Sequence, residues 1–290
     1  MGRIAICGRL VSKTTRSGNV SIELILMTGL AFATLATFAA QAQDTNASTQ
    51  NPSDWTGSGE LGFASTTGNS RSQNLNAKLN LSQETDQWKN TFFFDALRSK
   101  GQVTEVNAAG ATIKQFDTTA NRYDGGASIG YKLDPRSYIV TAARYDHDDF
   151  GANLWQGTVS VGYGYIALKN DRTQLSFEIG PGYTEYQPAP GTITVNGVLV
   201  PYTASRQSEV VARGLVNYKY RLTDNTAFED TFLTEAGTKN TYMQNDAGLS
   251  VSMTKKLSIK VGFQVRHNTA VLPGIRKTDT LATTNIVYNI

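Results

Sequence analysis

From Trp55 to Ile290 apolar and polar residues alternate with a period of two. Residues 74–81 read N-L-N-A-K-L-N-L, with Leu75, Ala77, Leu79 and Leu81 on one face and Asn74, Asn76, Lys78 and Asn80 on the other. Leu257, Ile259, Val261, Phe263 and Val265 oppose Ser258, Lys260, Gly262, Gln264 and Arg266 in the same way. A third example sets Trp155, Val159, Val161, Tyr163 and Tyr165 against Gln156, Thr158, Ser160, Gly162 and Gly164. Successive strand side chains point to opposite faces, so each segment is a two-faced strand. The pattern predicts twelve strands, at 55–65, 71–84, 88–98, 119–133, 137–145, 154–166, 174–187, 207–222, 226–235, 241–253, 257–266 and 278–290. Many exceed the ~5–6 residues of an ordinary globular strand. They suit a tilted membrane-crossing strand of about 9–11 residues with extensions.

The connections carry a second regularity. Thr85-Asp86-Gln87, Asp134-Pro135-Arg136, 168–173, Thr223-Asp224-Asn225 and Thr254-Lys255-Lys256 are short. They alternate with generally longer connections at 66–70, 99–118, 146–153, 188–206, 236–240 and 267–277. Tight turns alternating with longer loops describe an outer-membrane barrel, with the short side toward the periplasm. Trp55, Trp88, Tyr131, Tyr138, Tyr163, Tyr165, Tyr218, Tyr220 and Tyr288 fall near the short-turn ends, while Tyr145, Trp155, Tyr183 and Tyr242 fall at the other. Rings with an apolar body and a polar tip are favoured at the two membrane–water interfaces. Ile286, Tyr288 and Ile290 keep the alternation to the last residue and read as a closing strand. The expected fold is therefore all-β: a transmembrane outer-membrane β-barrel, antiparallel and up-and-down, of about twelve strands over 54–290.

The first 42 residues follow another pattern. Arg3, Arg9, Lys13 and Arg16 precede an apolar stretch from Leu24 to Ala40, and Ala40-Gln41-Ala42 supplies a small-residue cleavage site. These are the parts of a signal peptide over 1–42, cleaved on export; the polar run 43–53 reads as a flexible linker. The whole 290-residue chain carries a formal charge of +3. Without Arg3, Arg9, Lys13, Arg16 and Glu23, the 27 basic and 24 acidic residues become 23 of each. The expected mature chain is neutral overall, which removes nucleic acid from its expected partners. The charged fraction of the whole 290-residue chain is 18%, below the roughly 25% of soluble domains. A single Cys and two His exclude a disulfide scaffold and a Cys/His zinc cluster.

Several local sequences resemble a family. Gly59-Glu60-Leu61-Gly62-Phe63 is followed by Thr67-Gly68-Asn69-Ser70, and later come Arg144-Tyr145-Asp146, Gly180-Pro181-Gly182-Tyr183 and Lys277-Thr278-Asp279-Thr280-Leu281. Together they resemble the YdiY-like salt-induced outer-membrane proteins, a domain-of-unknown-function family, over about 55–290. The resemblance implies an outer-membrane barrel linked to salt or osmotic adaptation. It brings no catalytic residues with it.

Candidate chemistry is sparse. Asp146-His147-Asp148-Asp149, on an expected outward loop, offers carboxylates suited to a hard divalent cation and a His that a carboxylate could orient. The blander reading is a solvated acidic loop tip. His267 reads as an interface or loop residue. Gly162-Tyr163-Gly164 and Gly180-Pro181-Gly182 lack the helix and Lys of a phosphate loop, and suit crowded curved strands better. No catalytic residue and no cofactor is expected, and the chain is not expected to be an enzyme; a barrel hydrolase is the remote alternative. The inward face is the informative one. It is expected to carry Lys78, Arg122, Lys132, Arg144, Arg213, Lys219, Lys260 and Arg266, interleaved with Glu60, Asp95, Asp124, Glu178, Glu209, Glu229 and Asp279. Charge facing lipid is disfavoured, so these side chains should point into the lumen. Two functions fit that lumen: a weakly selective passive channel for small solutes or ions, or a non-conducting structural barrel braced by ion pairs. Expected partners are outer-membrane lipid and lipopolysaccharide, with the Sec translocon and the barrel-assembly machinery during biogenesis.

Overall fold

The structure, a computed structural model, describes residues 55–67, 71–106, 110–195, 197–273 and 275–290. The expected signal peptide and linker and the Gly68-Asn69-Ser70 part of the resemblance lie outside the described residues. Among the described residues fourteen strands follow in chain order: β1 Trp55–Thr66, β2 Ser72–Glu84, β3 Trp88–Val106, β4 Thr112–Lys132, β5 Ser137–Asp148, β6 Asn153–Lys169, β7 Thr173–Pro188, β8 Gly191–Val195, β9 Val198–Tyr202, β10 Gln207–Arg221, β11 Thr226–Ala236, β12 Thr241–Ser252, β13 Leu257–Asn268 and β14 Thr278–Asn289. Twelve close into one barrel in the order β1-β14-β13-β12-β11-β10-β7-β6-β5-β4-β3-β2, and every neighbouring pair is antiparallel. This is the closed up-and-down barrel that the period-two pattern predicts. Closure gives every barrel strand, the first and last included, a neighbour on both sides.

The two faces differ sharply. Outward positions carry Leu61, Ile129, Ile139, Val159, Val161, Ile179, Val210, Val261 and Phe263, all exposed, with Ile179 and Val210 each 69% accessible. Inward positions carry most of the charge: Glu60 and Asp124 are 2% accessible, Glu235 1% and Arg266 6%. A water-soluble protein buries its apolar side chains and exposes its charged ones. This barrel does the reverse, as a protein does whose outer solvent is hydrocarbon. Trp88 and Tyr131 meet edge to face at 5.3 Å near the short-turn rim, where Trp55, Tyr163, Tyr165 and Tyr288 also face out.

Four features depart from the sequence reading. First, β3 and β4 run on through the expected 99–118 loop as a long hairpin, with a bulge between Ser99 and Lys100. Second, the 188–206 connection holds its own two-stranded ribbon, β8 paired with β9, turning at Gly197 with φ of +78°. Glycine adopts this positive φ at no steric cost, and Gly197 directly precedes β9. Third, the connections 149–152 and 237–240 have four residues each, no longer than the short turns 133–136 and 222–225. The loop rim owes its bulk to the β3–β4 arm, to 189–206 and to 269–277. Fourth, the wall is not uniformly sealed. β1 pairs with β2 at twelve positions, from Trp55↔Gln83 to Thr66↔Ser72, but with β14 at only four, Ser58↔Asn289 to Leu61↔Ile286.

Candidate functional site

A charged layer crosses the lumen. The Arg266 guanidinium, on β13, reaches Asp124 on β4 at 2.6 Å and Asp146 on β5 at 2.7 Å. β13 and β5 stand six strands apart in the twelve-strand ring (β13-β12-β11-β10-β7-β6-β5), the greatest separation it allows. One side chain therefore ties opposite walls together. Arg144 on β5 adds Asp146 at 3.3 Å, Glu235 on β11 at 3.8 Å and the Tyr242 hydroxyl on β12 at 3.0 Å, its guanidinium 4.7 Å from the Tyr242 ring. Arg122 donates to Gln264, and Gln156 donates to Glu235 Oε2 at 2.8 Å. Lys78 bridges Asp95 at 3.2 Å and Asp246 at 3.6 Å.

The pairing register explains why the layer needs cations from the far wall. Asp95 is directly opposite Asp124, and Asp124 directly opposite Asp146. Three carboxylates in a row on adjacent strands repel one another. Arg266, coming across the lumen, compensates two of them. Removing charges from water costs several kcal/mol per ion, so such a layer adds little net stability but is expensive to break.

On the short-turn side of this layer lies a cavity of about 590 Å³, lined by Ser58, Lys78, Asn80, Thr231 and Gln264 among others. Its charges become wetter toward the short-turn rim, where Lys169 and Lys219 have side chains 53% accessible. Lys169 and Lys132 share Glu84 at 2.7 and 2.8 Å, and Lys219 pairs with Glu229 at 2.7 Å. Lys260 joins Glu229 at 3.4 Å to Glu60 at 2.8 Å. The lumen is thus a vestibule open at one rim and closed by buried ion pairs toward the other.

Tyr138 braces the vestibule wall. Only 1% accessible, it lies directly opposite Gly164 on β6, and its hydroxyl donates to Glu178 on β7 at 2.9 Å. Glu178 in turn holds Arg213 at 3.1 Å, while Lys89 Nζ donates to the Tyr138 hydroxyl oxygen at 3.0 Å. A Cβ at Gly164 would come within 2.2 Å of the Tyr138 ring, so glycine is what lets the ring pack against β6. Gly164→Ala should cost about 1–3 kcal/mol through overpacking. A matching drop in the urea unfolding midpoint would show it; an unchanged midpoint would mean that the ring has room to move aside.

Most of the sequence-expected lumen residues meet in these contacts. Glu209 is also buried but serves the loop rim, accepting the backbone N–H groups of Lys239 at 2.7 Å and Asn240 at 3.0 Å. Asp279 faces Arg266 across the ladder but is exposed and joins no ion pair among the described residues. Asp146-His147-Asp148-Asp149 is not an exposed loop tip: its first three residues end β5. The four side chains do not converge. Asp146 points in to Arg266, while His147 points out, stacked on Tyr123 at 4.9 Å with Nε2 3.0 Å from Asp149. Asp148 accepts the N–H of Phe150 at 3.0 Å, and Asp149 accepts from Asn121 at 2.6 Å. His267 is the last residue but one of β13, with Nδ1 2.8 Å from the Thr278 hydroxyl. Tyr138 and Tyr242 belong to the lumen and not to the aromatic girdles. Glu235 and Asp246 are lumen charges that the sequence reading omitted; each shares strand parity with other inward polar residues, Glu229 and Gln244.

Residues 59–290 match the family described as "Protein of unknown function, DUF481". The chain belongs to the DUF481 family. Among solved structures, this DUF481 barrel is similar to an outer-membrane channel from Pseudomonas putida F1, with TM-score 0.43, 12% identity, and 84% and 100% of the two chains covered. It is also similar to the NanC porin, with TM-score 0.42, 12% identity, and 81% and 98% covered. The translocator domain of the autotransporter NalP from Neisseria meningitidis gives TM-score 0.41, 9% identity, and 92% and 98% covered. A comparison with curated proteins finds no match. In chemical terms the DUF481 barrel holds cationic and anionic side chains in a fixed array across its lumen.

Proposed function

We propose that this DUF481 protein is an outer-membrane barrel that limits the passive passage of small solutes or ions, with the Arg266 layer as its constriction. The observation that carries this reading is the span of Arg266 across the full barrel to Asp124 and Asp146. The short-turn rim faces the periplasm and the loop rim faces lipopolysaccharide, so the vestibule fills from the periplasmic side. Export by the Sec translocon, insertion by the barrel-assembly machinery and a non-enzymatic role are parts of the same proposal, as is the contribution to salt adaptation that the resemblance implies. Buried pairs are screened far less than exposed ones, so salt acts on the wet rim pairs Lys219–Glu229 and Lys169–Glu84 before it acts on the layer. A non-conducting structural barrel is the second reading, favoured by how fully Asp146 is compensated by Arg266 and Arg144.

Planar-bilayer recording of the refolded chain decides between them. The wild type should give small, infrequent current steps, and Arg266→Ser should give larger, cation-preferring steps, because Asp124 then lines an open lumen without its cation and Asp146 keeps only Arg144. Equal large steps in both proteins would remove the layer as the constriction. Silence in both would favour the structural barrel.

A further inference from the structure

The incomplete seam between β1 and β14 has consequences of its own. Beyond Leu61↔Ile286 the same register would pair Gly62 with Asn285, Phe63 with Thr284 and Ala64 with Thr283, yet the ladder stops. Both lips are otherwise intact. β1 remains paired to β2 as far as Thr66↔Ser72, and β14 to β13 as far as His267↔Thr278. A backbone group left unpaired at membrane depth is costly, because hydrocarbon supplies no hydrogen-bond partner. Irregular backbone persists at that depth where it borders a polar cavity, and here it does: Leu281 and Thr283 of β14 also line the lumen cavity.

The base of the opening is closed by side chains instead of backbone. Asn76 on β2 donates to Asn285 on β14 at 2.8 Å, passing over β1, and Asn285 donates to Glu60 at 2.9 Å. A Cβ at Gly62 would collide with both amide oxygens, so glycine at this position leaves space for the clasp. Above the clasp, the inward residues Ala64, Thr66 and Asp279 are exposed, whereas inward residues of the far wall such as Gln156, Thr184 and Val211 are buried. Polarity changes across the wall at this place. Phe63 and Ile286 face outward and are exposed; Thr283, Asn285 and Asp279 face inward.

We propose that the loop-side half of the β1–β14 seam is a lateral opening through which a slim amphiphile straddles the wall, its polar head in the lumen and its chain in the bilayer. The polarity step from Phe63 to Thr283 fits that ligand class, and the Asn76–Asn285 clasp sets the lower limit of the gap. The route is lateral and bypasses the Arg266 layer, so it stands whether or not the lumen conducts.

The test uses the full chain with Cys7→Ser, in liposomes containing a lysophospholipid that carries a photoreactive diazirine on its headgroup. Irradiation should label the inward seam residues Leu281 and Thr283 and leave the far-wall residue Val211 unlabelled. A disulfide in the Ala64→Cys/Thr283→Cys protein should abolish this labelling, while one in Ser58→Cys/Asn289→Cys, across the sealed half, should leave it unchanged. Label confined to outward residues overturns the proposal, as does equal label on Val211, which would mean entry through the mouth. Undiminished labelling in the oxidised Ala64/Thr283 pair overturns it too. Should that pair fail to fold, shown by loss of heat-modifiable gel mobility, the labelled positions in the Cys7→Ser protein alone decide.

Discussion

Replacing Arg266 with Met should lower the unfolding free energy by about 3–5 kcal/mol, because Asp124 and Asp146 are left buried without the cation that spans to them. The two carboxylates are direct cross-strand neighbours, so the loss is not a single missing bond: Asp124 loses its ion-pair partner while Asp146 beside it keeps only Arg144. The triple change Arg266→Met, Asp124→Asn, Asp146→Asn removes the charges together and should restore most of that loss, since exchanging a whole buried ionic group for neutral side chains is often nearly neutral. Urea titration in lipid vesicles, followed by tryptophan fluorescence, measures both. A small loss in the single variant, or a larger one in the triple, would mean that water already solvates the layer.

An arginine on the outer face should do comparable damage for the opposite reason. Val161 is the central residue of β6, exposed on the side away from the lumen, with Tyr163 and Tyr165 nearer the short-turn rim. At the bilayer midplane Val161→Arg should cost about 2–4 kcal/mol. The adjacent Ser160 faces the cavity, and Ser160→Arg should cost markedly less because the guanidinium stays in the lumen. Equal costs at 160 and 161 would contradict a hydrocarbon-facing exterior.

The strands were legible because a period of two is a local property. Any eight consecutive residues of β2 or β13 display it, and one buried face and one lipid face keep it sharp. The inward charges were legible for the same reason. Tyr138 and Tyr242 were not, although parity held the answer: Tyr138 shares its face with Arg144, and Tyr242 shares its face with Gln244. Position near a strand end suggested a girdle, and an aromatic ring suits both places. The partnerships themselves are a different matter. Arg266 lies 142 residues from Asp124 and 120 from Asp146 in the chain, and only closure of the ring brings them together. The seam likewise depends on how the first and last barrel strands meet, which alternation within either strand does not encode.

Side-specific thiol labelling tests the division of the lumen by the Arg266 layer most directly. Thr231 lines the cavity on the short-turn side of the layer, so Thr231→Cys in the Cys7→Ser background should react with a membrane-impermeant thiol reagent supplied from the periplasmic side. The same reagent added outside intact cells should leave it unmodified, and adding Arg266→Ser should make it reactive from outside. Rapid labelling of Thr231→Cys from outside with Arg266 in place would contradict the closed layer.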